Sequence, residues 1–317
     1  PDLKRGRRMA LRTQIRNLIF CSPLYRLTLT RSGPSTVLGT PPDPWPGNIG
    51  IAEAMIGSSF SFGGVPADSG PWFTVKSDDD ARDLLHGFSW LRDLRTQGGE
   101  EGRQRARELI TSWIAAHSRW DPLIWRPDVL GERIAHWLIA FGYLTAGADE
   151  AFRKALLASL ARQAQPLRRV FDTATPDQRL LTAIKGLIYA GICLSDGERD
   201  CAFSLAQLSR EIARQILPDG GHIQRSPSIH MEVLRLLIDI RSALTAAHRE
   251  VPMSLQSAID RMAPLLRSFR HGDGRLALFN GSTEEDDKEV SMTLAQSGSR
   301  GRALMSAPHS GFQRIAA

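Results

Sequence analysis

The densest group of chemically versatile side chains lies in residues 217–230, which read LPDGGHIQRSPSIH and lead into an apolar helical pattern. His222 and His230 bring imidazoles that transfer protons near neutral pH, and Arg225 brings a guanidinium that binds anionic groups. Such a set suits acid–base chemistry and the binding of an anionic group. A loop that only connects two helices needs fewer hydrogen-bonding side chains, so we expect His222, Arg225 and His230 to act on a ligand.

The serines of this segment also have a purely structural interpretation. Ser226 or Ser228 can cap the helix that follows, with Pro227 at its first position. Capping and ligand contact therefore both stay open for the serines.

A second group of candidates lies in residues 125–141, WRPDVLGERIAHWLIAF. Arg133, with Glu132 and His136, could reach a substrate cleft, or these residues could form a solvated face with local pairs at helical spacing. Trp137 could stack on a sugar ring or pack in the core, because indole has a large apolar face beside a polar N–H.

Helices must position these residues. From residue 78 onward, apolar side chains recur at three- and four-residue spacing, which predicts a series of helices. The predicted helices cover residues 79–94, 100–117, 129–143, 151–171, 178–194, 198–216, 228–248 and 255–270. Short polar loops between them favour antiparallel neighbours. Because no fixed repeat length is visible, we expect a mainly α protein with an incomplete (α/α) toroid of helix pairs, and not a solenoid.

The flanking segments differ from this helical domain, which we place at residues 77–270. Residues 1–76 are rich in Pro, Gly and Ser, which predicts an irregular N-terminal wrap, with a basic first helix near residues 4–16. Residues 271–317 combine glycines with short apolar runs, which predicts the beginning of a β-sandwich domain. The acidic run at residues 284–287 is interpreted as a solvated loop.

The composition and charge limit the classes of function to which this chain can belong. Hydrophobic residues make up 42% of the 317 residues and charged residues 23%, as in ordinary globular proteins. The net charge is +6, but arginines are scattered over most helices, which argues against a nucleic-acid interface and fits an anionic polymer or a solvated basic surface. No apolar run is long enough for a membrane span, and residues 18–21 are too short for a signal-peptide core. Periplasm and cytoplasm both remain compatible, and the sequence does not define the oligomeric state.

The cysteines point to no metal centre. Cys21, Cys193 and Cys201 lack CxxC spacing and histidines at zinc-site distances. Cys193 lies in an apolar helix, where a buried free thiol is the usual role. We expect no metal and no disulfide framework.

The order of three segments resembles the heparinase II/III and alginate-lyase-like superfamily of bacterial polysaccharide lyases. These are DGGH followed by SPSIH, the helix at residues 125–141, and TPDQRLLTAIKGLIYAG at residues 175–191. GRLALFNGS and then SGFQRIAA are similar to the family's passage into its β-sandwich, so the resemblance spans Trp72 to the C-terminus. It implies a toroid cleft that binds an acidic polysaccharide and cleaves it by β-elimination at a uronate, without metal or organic cofactor.

The resemblance also implies roles for single residues. The amide that neutralises the uronate carboxylate falls at Gln178, and Arg179 stands where the family has a histidine. The family's catalytic tyrosine falls at Ile229, which cannot exchange a proton. The candidates that remain for this task are His222, His230 and Tyr189.

Further roles follow from the same comparison. Arg133, Arg179, Arg225, Tyr189 and Trp137 are the expected substrate-binding residues. The family's histidine base falls beyond Ala317, so catalysis is expected only of the full-length protein.

Two other functions remain open. A non-catalytic protein of the same fold could bind or scaffold acidic polysaccharide, as the isoleucine at position 229 suggests. A glycoside hydrolase would need two carboxylates across the scissile bond, and the candidate acids are Asp177, Asp219 and Glu232.

Overall fold

The computed structural model describes residues 36–57, 61–62, 65–66, 79–117 and 120–315. The predicted basic helix near residues 4–16, the aromatic residues Phe60, Trp72 and Phe73, and Cys21 lie outside the described residues. Cys193 and Cys201 are buried free thiols.

Helices dominate the described part of the chain. They are α1 (Ile49–Ile56), α2 (Asp79–Gly87), α3 (Leu91–Gln97), α4 (Gly99–Ala116), α5 (Pro127–Ile139), α6 (Phe141–Thr145), α7 (Glu150–Val170), α8 (Gln178–Cys193), α9 (Glu198–Gln215), α10 (Pro227–Ala246), α11 (Met253–Ser268) and α12 (Asp287–Ser297), with a 3₁₀ turn at Phe171–Thr173. Two small antiparallel hairpins pair β1 (Ser61–Phe62) with β2 (Val65–Pro66) and β3 (Ser306–Ala307) with β4 (Phe312–Gln313). The prediction of a mainly α protein is confirmed.

Helix α8 lies at the centre of the packing. It contacts α5 and α9 extensively and also contacts α7 and α10, while α10 packs on α11 and α12. Every residue of α8 from Leu180 to Cys193 is buried, so this helix is surrounded on all sides. Neighbouring helices joined by short loops around this core form the incomplete (α/α) toroid that the sequence predicts.

The predicted helix at residues 79–94 is in fact two helices, α2 and α3. Phe88 interrupts it with a left-handed backbone conformation (φ 63°). The ring of Phe88 is fully buried and packs at ring-centroid distances of 4.8 Å on Trp90, 5.7 Å on Trp113 and 5.2 Å on Trp137. This aromatic packing compensates for a backbone conformation that is unfavourable for a residue with a β-carbon. The helix predicted at residues 129–143 is interrupted more gently, at Ala140 (φ −84°, ψ 0°), between α5 and α6.

The C-terminal segment contains a helix that the sequence analysis did not anticipate. Asp286 caps α12 by accepting a hydrogen bond from the backbone of Lys288, and Gly298 ends the helix in a left-handed conformation. The acidic run is therefore a loop only as far as this cap. Residues 271–315 contain α12 and the β3–β4 hairpin, and a β-sandwich domain stays a prediction.

Two glycines set the closest approach between helices. A β-carbon added at Gly186 of α8 would lie 2.4 Å from the α-carbon of Gly131 in α5. The two backbones are therefore in direct contact, which no larger residue allows. This crossing places Glu132 of α5 beside Lys185 of α8, because each charged residue adjoins its glycine in the sequence.

We expect Gly186→Ala to lower the free energy of unfolding by about 3 kcal/mol or more, because overpacking a rigid backbone contact forces the two helices apart. Urea denaturation followed by circular dichroism measures this change. Gly272→Ala is the matched control, since a β-carbon there meets nothing within 4 Å. Similar losses in both variants would contradict the importance of the crossing.

Candidate active site

A cleft of about 850 Å³ opens beside the α5–α8 crossing. It is lined from α2, α3, α5, α8 and α10, from the loop before α12, and from residue Trp45. Its charged and amide-bearing lining residues are Asp80, Asp83, Arg92, Arg126, Asp128, Glu132, His136, Gln178, Arg179, Lys185, Glu232, Arg235, Asp239 and Glu285. Its walls therefore carry both signs of charge.

The floor of the cleft holds four linked charged or titratable side chains, the charge network of Glu132, His136, Lys185 and Asp239. The ammonium of Lys185 lies 3.2 Å from Asp239 Oδ2 and 3.6 Å from Glu132 Oε2. His136 Nδ1 lies 3.4 Å from Glu132 Oε2 and 3.0 Å from the carbonyl oxygen of Gly87. Because a carbonyl oxygen only accepts hydrogen bonds, this ring nitrogen carries the hydrogen.

The strap, residues 36–48, closes one end of this network. Trp45 Nε1 donates a 2.6 Å hydrogen bond to Asp239 Oδ1. Asp43 Oδ2 in turn accepts hydrogen bonds from Arg92 Nε (2.8 Å) and Arg95 Nη2 (2.7 Å). These contacts hold the strap against α3 and α10.

Opposite charges in the network favour each other's ionised forms. Burial opposes ionisation of Glu132, but the nearby cations, Lys185 foremost, lower the pKa of this carboxyl. Burial likewise disfavours the charged form of Lys185, yet Glu132 and Asp239 raise its pKa. Burial lowers the pKa of His136, so its imidazole is neutral at physiological pH. The floor thus holds an ionised Glu132 and a charged Lys185 beside a neutral imidazole.

Glu232 behaves differently from Glu132, although both face the same cleft. Its side chain is exposed to the water in the cleft, while the surrounding walls displace bulk solvent. This desolvation, together with the negative charge of Glu132, raises the pKa of Glu232 to about 7. Glu132 therefore ionises readily, whereas Glu232 stays partly protonated near neutral pH.

Two of the predicted site residues lie at the N-terminus of α8. Gln178 and Arg179 both line the cleft. The amide oxygen of Gln178 accepts a 2.9 Å hydrogen bond from Gln224, which leaves the amide donors for a ligand. Arg179 is exposed and has no ion-pair partner among the described residues, unlike Arg126, which Asp128 and a second aspartate hold.

The two predicted catalytic histidines do not line the cleft. His222 is 1% exposed, and its Nε2 donates to Gln215 Oε1 (3.0 Å), whose own amide donates to the carbonyl oxygen of Asp177 (2.9 Å). His230 is 1% exposed, and its Nε2 donates to the carbonyl oxygen of Met262 (2.9 Å). Burial lowers the pKa of each imidazole to about 4, so both are neutral. In this structure His222 supports the residue that caps α8, and His230 fastens α10 to α11.

Arg133 is a core residue in this structure. Its guanidinium stacks on Trp113 at 4.3 Å and donates to Gln163 Oε1 (2.6 Å) and to two backbone carbonyl oxygens. Burial lowers the pKa of Arg133 to about 9. With a side chain that is fully buried, it has no surface to offer a substrate.

The remaining predicted binding residues also lie away from the cleft surface. Trp137 is fully buried in the aromatic cluster around Phe88. Tyr189 is fully buried and donates a 3.2 Å hydrogen bond to the carbonyl oxygen of Asp239, and burial raises its pKa well above 10. Arg225 is exposed in a left-handed conformation (φ 57°) and is not among the residues that line the cleft.

The sequence analysis missed the role of Lys185 and Asp239 at the floor of the cleft. Lys185 was the available signal, because it is a charged residue beside a glycine in an otherwise apolar helix. Within the described residues, no three His, Cys, Asp or Glu side chains are grouped so that they could hold a metal ion. No helix in the described part of the chain is long and apolar enough to cross a membrane.

We expect Lys185→Met to lower the free energy of unfolding by about 3–5 kcal/mol, because it leaves the buried Asp239 and the partly buried Glu132 without their shared cation. Thermal and urea unfolding at neutral pH measure the loss. Lys154→Met is the control: its 3.7 Å pair with Glu150 is exposed on α7, so its removal should change stability by less than about 0.5 kcal/mol. Equal effects of the two substitutions would show that the charge network contributes nothing beyond a surface pair.

Comparison with known proteins places this geometry in a family. Residues 72–299 match the family described as heparinase II/III N-terminus. FtsZ-localized protein C of Caulobacter vibrioides (strain NA1000 / CB15N) is 31% identical over 301 residues, which cover 93% of this chain and 52% of that protein. Heparin-sulfate lyase of Pedobacter heparinus is 23% identical over 243 residues, 70% of this chain and 36% of that protein. The chain thus spans about half the length, or less, of these relatives.

Solved structures show the same fold. The crystal structure of heparinase III superposes with a TM-score of 0.68 at 17% identity, over 87% of this chain and 48% of that one. Heparan sulfate lyase HepC of Pedobacter heparinus superposes with a TM-score of 0.55 at 19% identity, over 83% of this chain and 45% of that one. The chain belongs to the heparinase II/III family, and its family and fold relate it to the polysaccharide lyases.

Proposed function

We propose that the cleft binds a segment of an acidic, uronate-containing polysaccharide and that the full-length protein cleaves this polymer by β-elimination. The observation that carries the proposal is the position of Gln178 and Arg179, which both open onto the cleft at the head of α8. They offer an amide and a guanidinium that has no ion-pair partner in the part of the chain that the structure describes.

These two groups can neutralise the carboxylate of a uronate, which is the first requirement of β-elimination. Removal of the proton at C5 of a uronate places negative charge on the carbon beside the carboxylate. Hydrogen-bond donors that neutralise this carboxylate lower the barrier. Arg179 can pair with the carboxylate in a bidentate way, and Gln178 can add an amide donor.

The size of the cleft agrees with a polymer segment. Its volume of about 850 Å³ lies toward the upper end of typical ligand sites, which leaves room for a few sugar rings. The relatives named as heparin-sulfate lyase and heparinase III further support a sulfated or carboxylated glycan as the ligand class.

Binding without cleavage is the second candidate function. Ile229 lines the cleft at the position where the family resemblance puts a catalytic tyrosine. The relative that matches 93% of this chain is named for its localisation with FtsZ and not for a reaction. A protein with this cleft could therefore hold a glycan as a scaffold.

One assay separates these functions. The full-length protein is incubated with a panel of uronate polysaccharides, and the ultraviolet absorbance of an unsaturated sugar is followed together with new reducing ends. Both signals rising together support β-elimination. Binding without either signal would favour the scaffold, and reducing ends without the absorbance would favour hydrolysis.

We expect Arg179→Ala to weaken binding of a uronate oligosaccharide about 10-fold or more, since a hydrogen-bonded charge pair contributes roughly 1.5–3 kcal/mol. Isothermal titration calorimetry measures the dissociation constant. Arg210→Ala removes the same charge from an exposed position of α9, outside the cleft, and should leave affinity nearly unchanged. Loss of affinity to the same extent in both variants would point to nonspecific attraction by net charge.

A further inference from the structure

Building on elimination in this cleft, we propose that Glu232 is the proton donor to the leaving glycosidic oxygen, a task for which position 229 offers only isoleucine. The proposal rests on the proposed function above and gives a role in elimination to Glu232, which the sequence suggested only as a candidate acid for glycoside hydrolysis.

The position of Glu232 on α10 fits this task. Ile229 and Glu232 are three residues apart on one helix, so their side chains lie on neighbouring points of the same face. Both line the cleft. A carboxyl group one turn further along the helix therefore opens into the same space that the side chain at position 229 faces.

Glu232 is also near the residues that would hold the uronate. The loop before α10 is joined to Gln178 by the hydrogen bond from Gln224, so the heads of α8 and α10 lie together. Electrostatic interaction between Glu232 and Asp177, the residue that caps α8, reflects the same proximity.

The charges that face Glu232 come from three directions and explain its protonation. Glu132 faces it from α5, Asp177 and Lys185 from α8, and Glu285 from the loop before α12. Desolvation in the cleft is the largest effect, and three carboxylates against one ammonium add to it. A carboxyl with a pKa of about 7 is about half protonated at neutral pH and gives up its proton readily, which is the property of an efficient general acid.

Arg235, one turn after Glu232 on α10, is engaged by Glu289 at 2.9 Å and stacks on Trp45 at 4.3 Å. Helix α11, which also packs on α10, contributes no residue to the lining of the cleft.

The proposed step balances without an external reactant. A neutral imidazole removes the proton from C5, and the electrons of the C5–H bond form the C4=C5 double bond. The C4–O bond breaks, and its electrons pass to the glycosidic oxygen, which takes the proton of Glu232. Among the described residues, His136 is the neutral imidazole that lines the cleft. The resulting Glu232 carboxylate regains a proton from water, and the imidazolium returns its own.

The test is the pH dependence of the elimination rate in the full-length protein. For the wild type, kcat/KM should fall about tenfold per pH unit above pH 7, as Glu232 loses its proton. Glu232→Gln should lower kcat by roughly 10²-fold or more, the usual contribution of a general acid, while oligosaccharide affinity is retained. Because Glu232 is exposed to the cleft, the variant should fold, and its melting temperature verifies this.

Two further variants make the test specific. Glu285→Gln removes the same charge from the rim of the same cleft and should keep the alkaline fall in rate, with its midpoint moved slightly toward lower pH because Glu285 helps to raise the pKa of Glu232. The double variant Ile229→Tyr, Glu232→Gln should recover activity. The pH above which its rate falls should move toward the pKa of a tyrosine, about 10. A purely structural role of Glu232 would not move this limit.

The outcomes distinguish the two proposals. A Glu232→Gln variant with the rate and pH profile of the wild type would overturn the donor and leave elimination standing. A wild type without unsaturated product, together with an active Ile229→Tyr variant, would also overturn the donor and leave the uronate cleft standing. No unsaturated product from any variant, with binding intact, would overturn elimination itself and with it the role of Glu232.

Discussion

The contact between Gly131 and Gly186 is the constraint on which the rest of the site depends. With a β-carbon on either residue, α5 and α8 could not approach to the distance at which their backbones touch. The crossing fixes the rotation of both helices, because only their glycine faces can meet. Glu132 and Lys185, which adjoin these glycines, are thereby brought into one ion pair at the floor of the cleft.

Hydrogen bonds and ion pairs connect this pair to the other residues of the site. Lys185 also binds Asp239, which fixes the register of α10 against α8. Asp239 in turn holds Trp45 and so fastens the strap. A buried network of this kind stabilises a fold little compared with apolar packing, because desolvation of its ions offsets most of their attraction. Its place at the floor of an open cleft is therefore better explained by the charges it presents to a ligand.

Local patterns in the sequence predicted most of the helices. The helix predicted at residues 178–194 is α8, Gln178–Cys193, because its cap and its continuous apolar face are local features. The break at Phe88 was not predictable from the sequence, since the aromatic packing that stabilises its positive φ comes from α4 and α5. The cap signals of α12, Asp286 and Gly298, were present in the sequence, but Asp286 stands inside an acidic run that suggested a loop.

The same difference between local sequence features and tertiary packing explains which site residues could be predicted. Gln178 and Arg179 were found from their place in a motif, and the helix start puts them on the cleft. His222 and His230 belong to an equally polar segment, yet each imidazole satisfies a buried acceptor. A cluster of polar residues shows that hydrogen bonds are needed, but it does not show whether a ligand or the core provides the partner. That information comes only from the packing of α9 and α11 around the segment.

Charge and protonation are coupled in this cleft. A uronate carboxylate held by Arg179 near Glu232 would add a further negative charge and favour the protonated form of Glu232. Binding of the polymer and uptake of a proton then strengthen each other by equal amounts, because linkage is reciprocal. The group that the proposed reaction needs in its acid form would thus be protonated most fully when substrate is bound. A tyrosine, with a pKa near about 10, would be protonated at neutral pH without this coupling. A carboxyl donor therefore depends on the desolvating walls and neighbouring carboxylates of the cleft, which the crossing of α5 and α8 assembles.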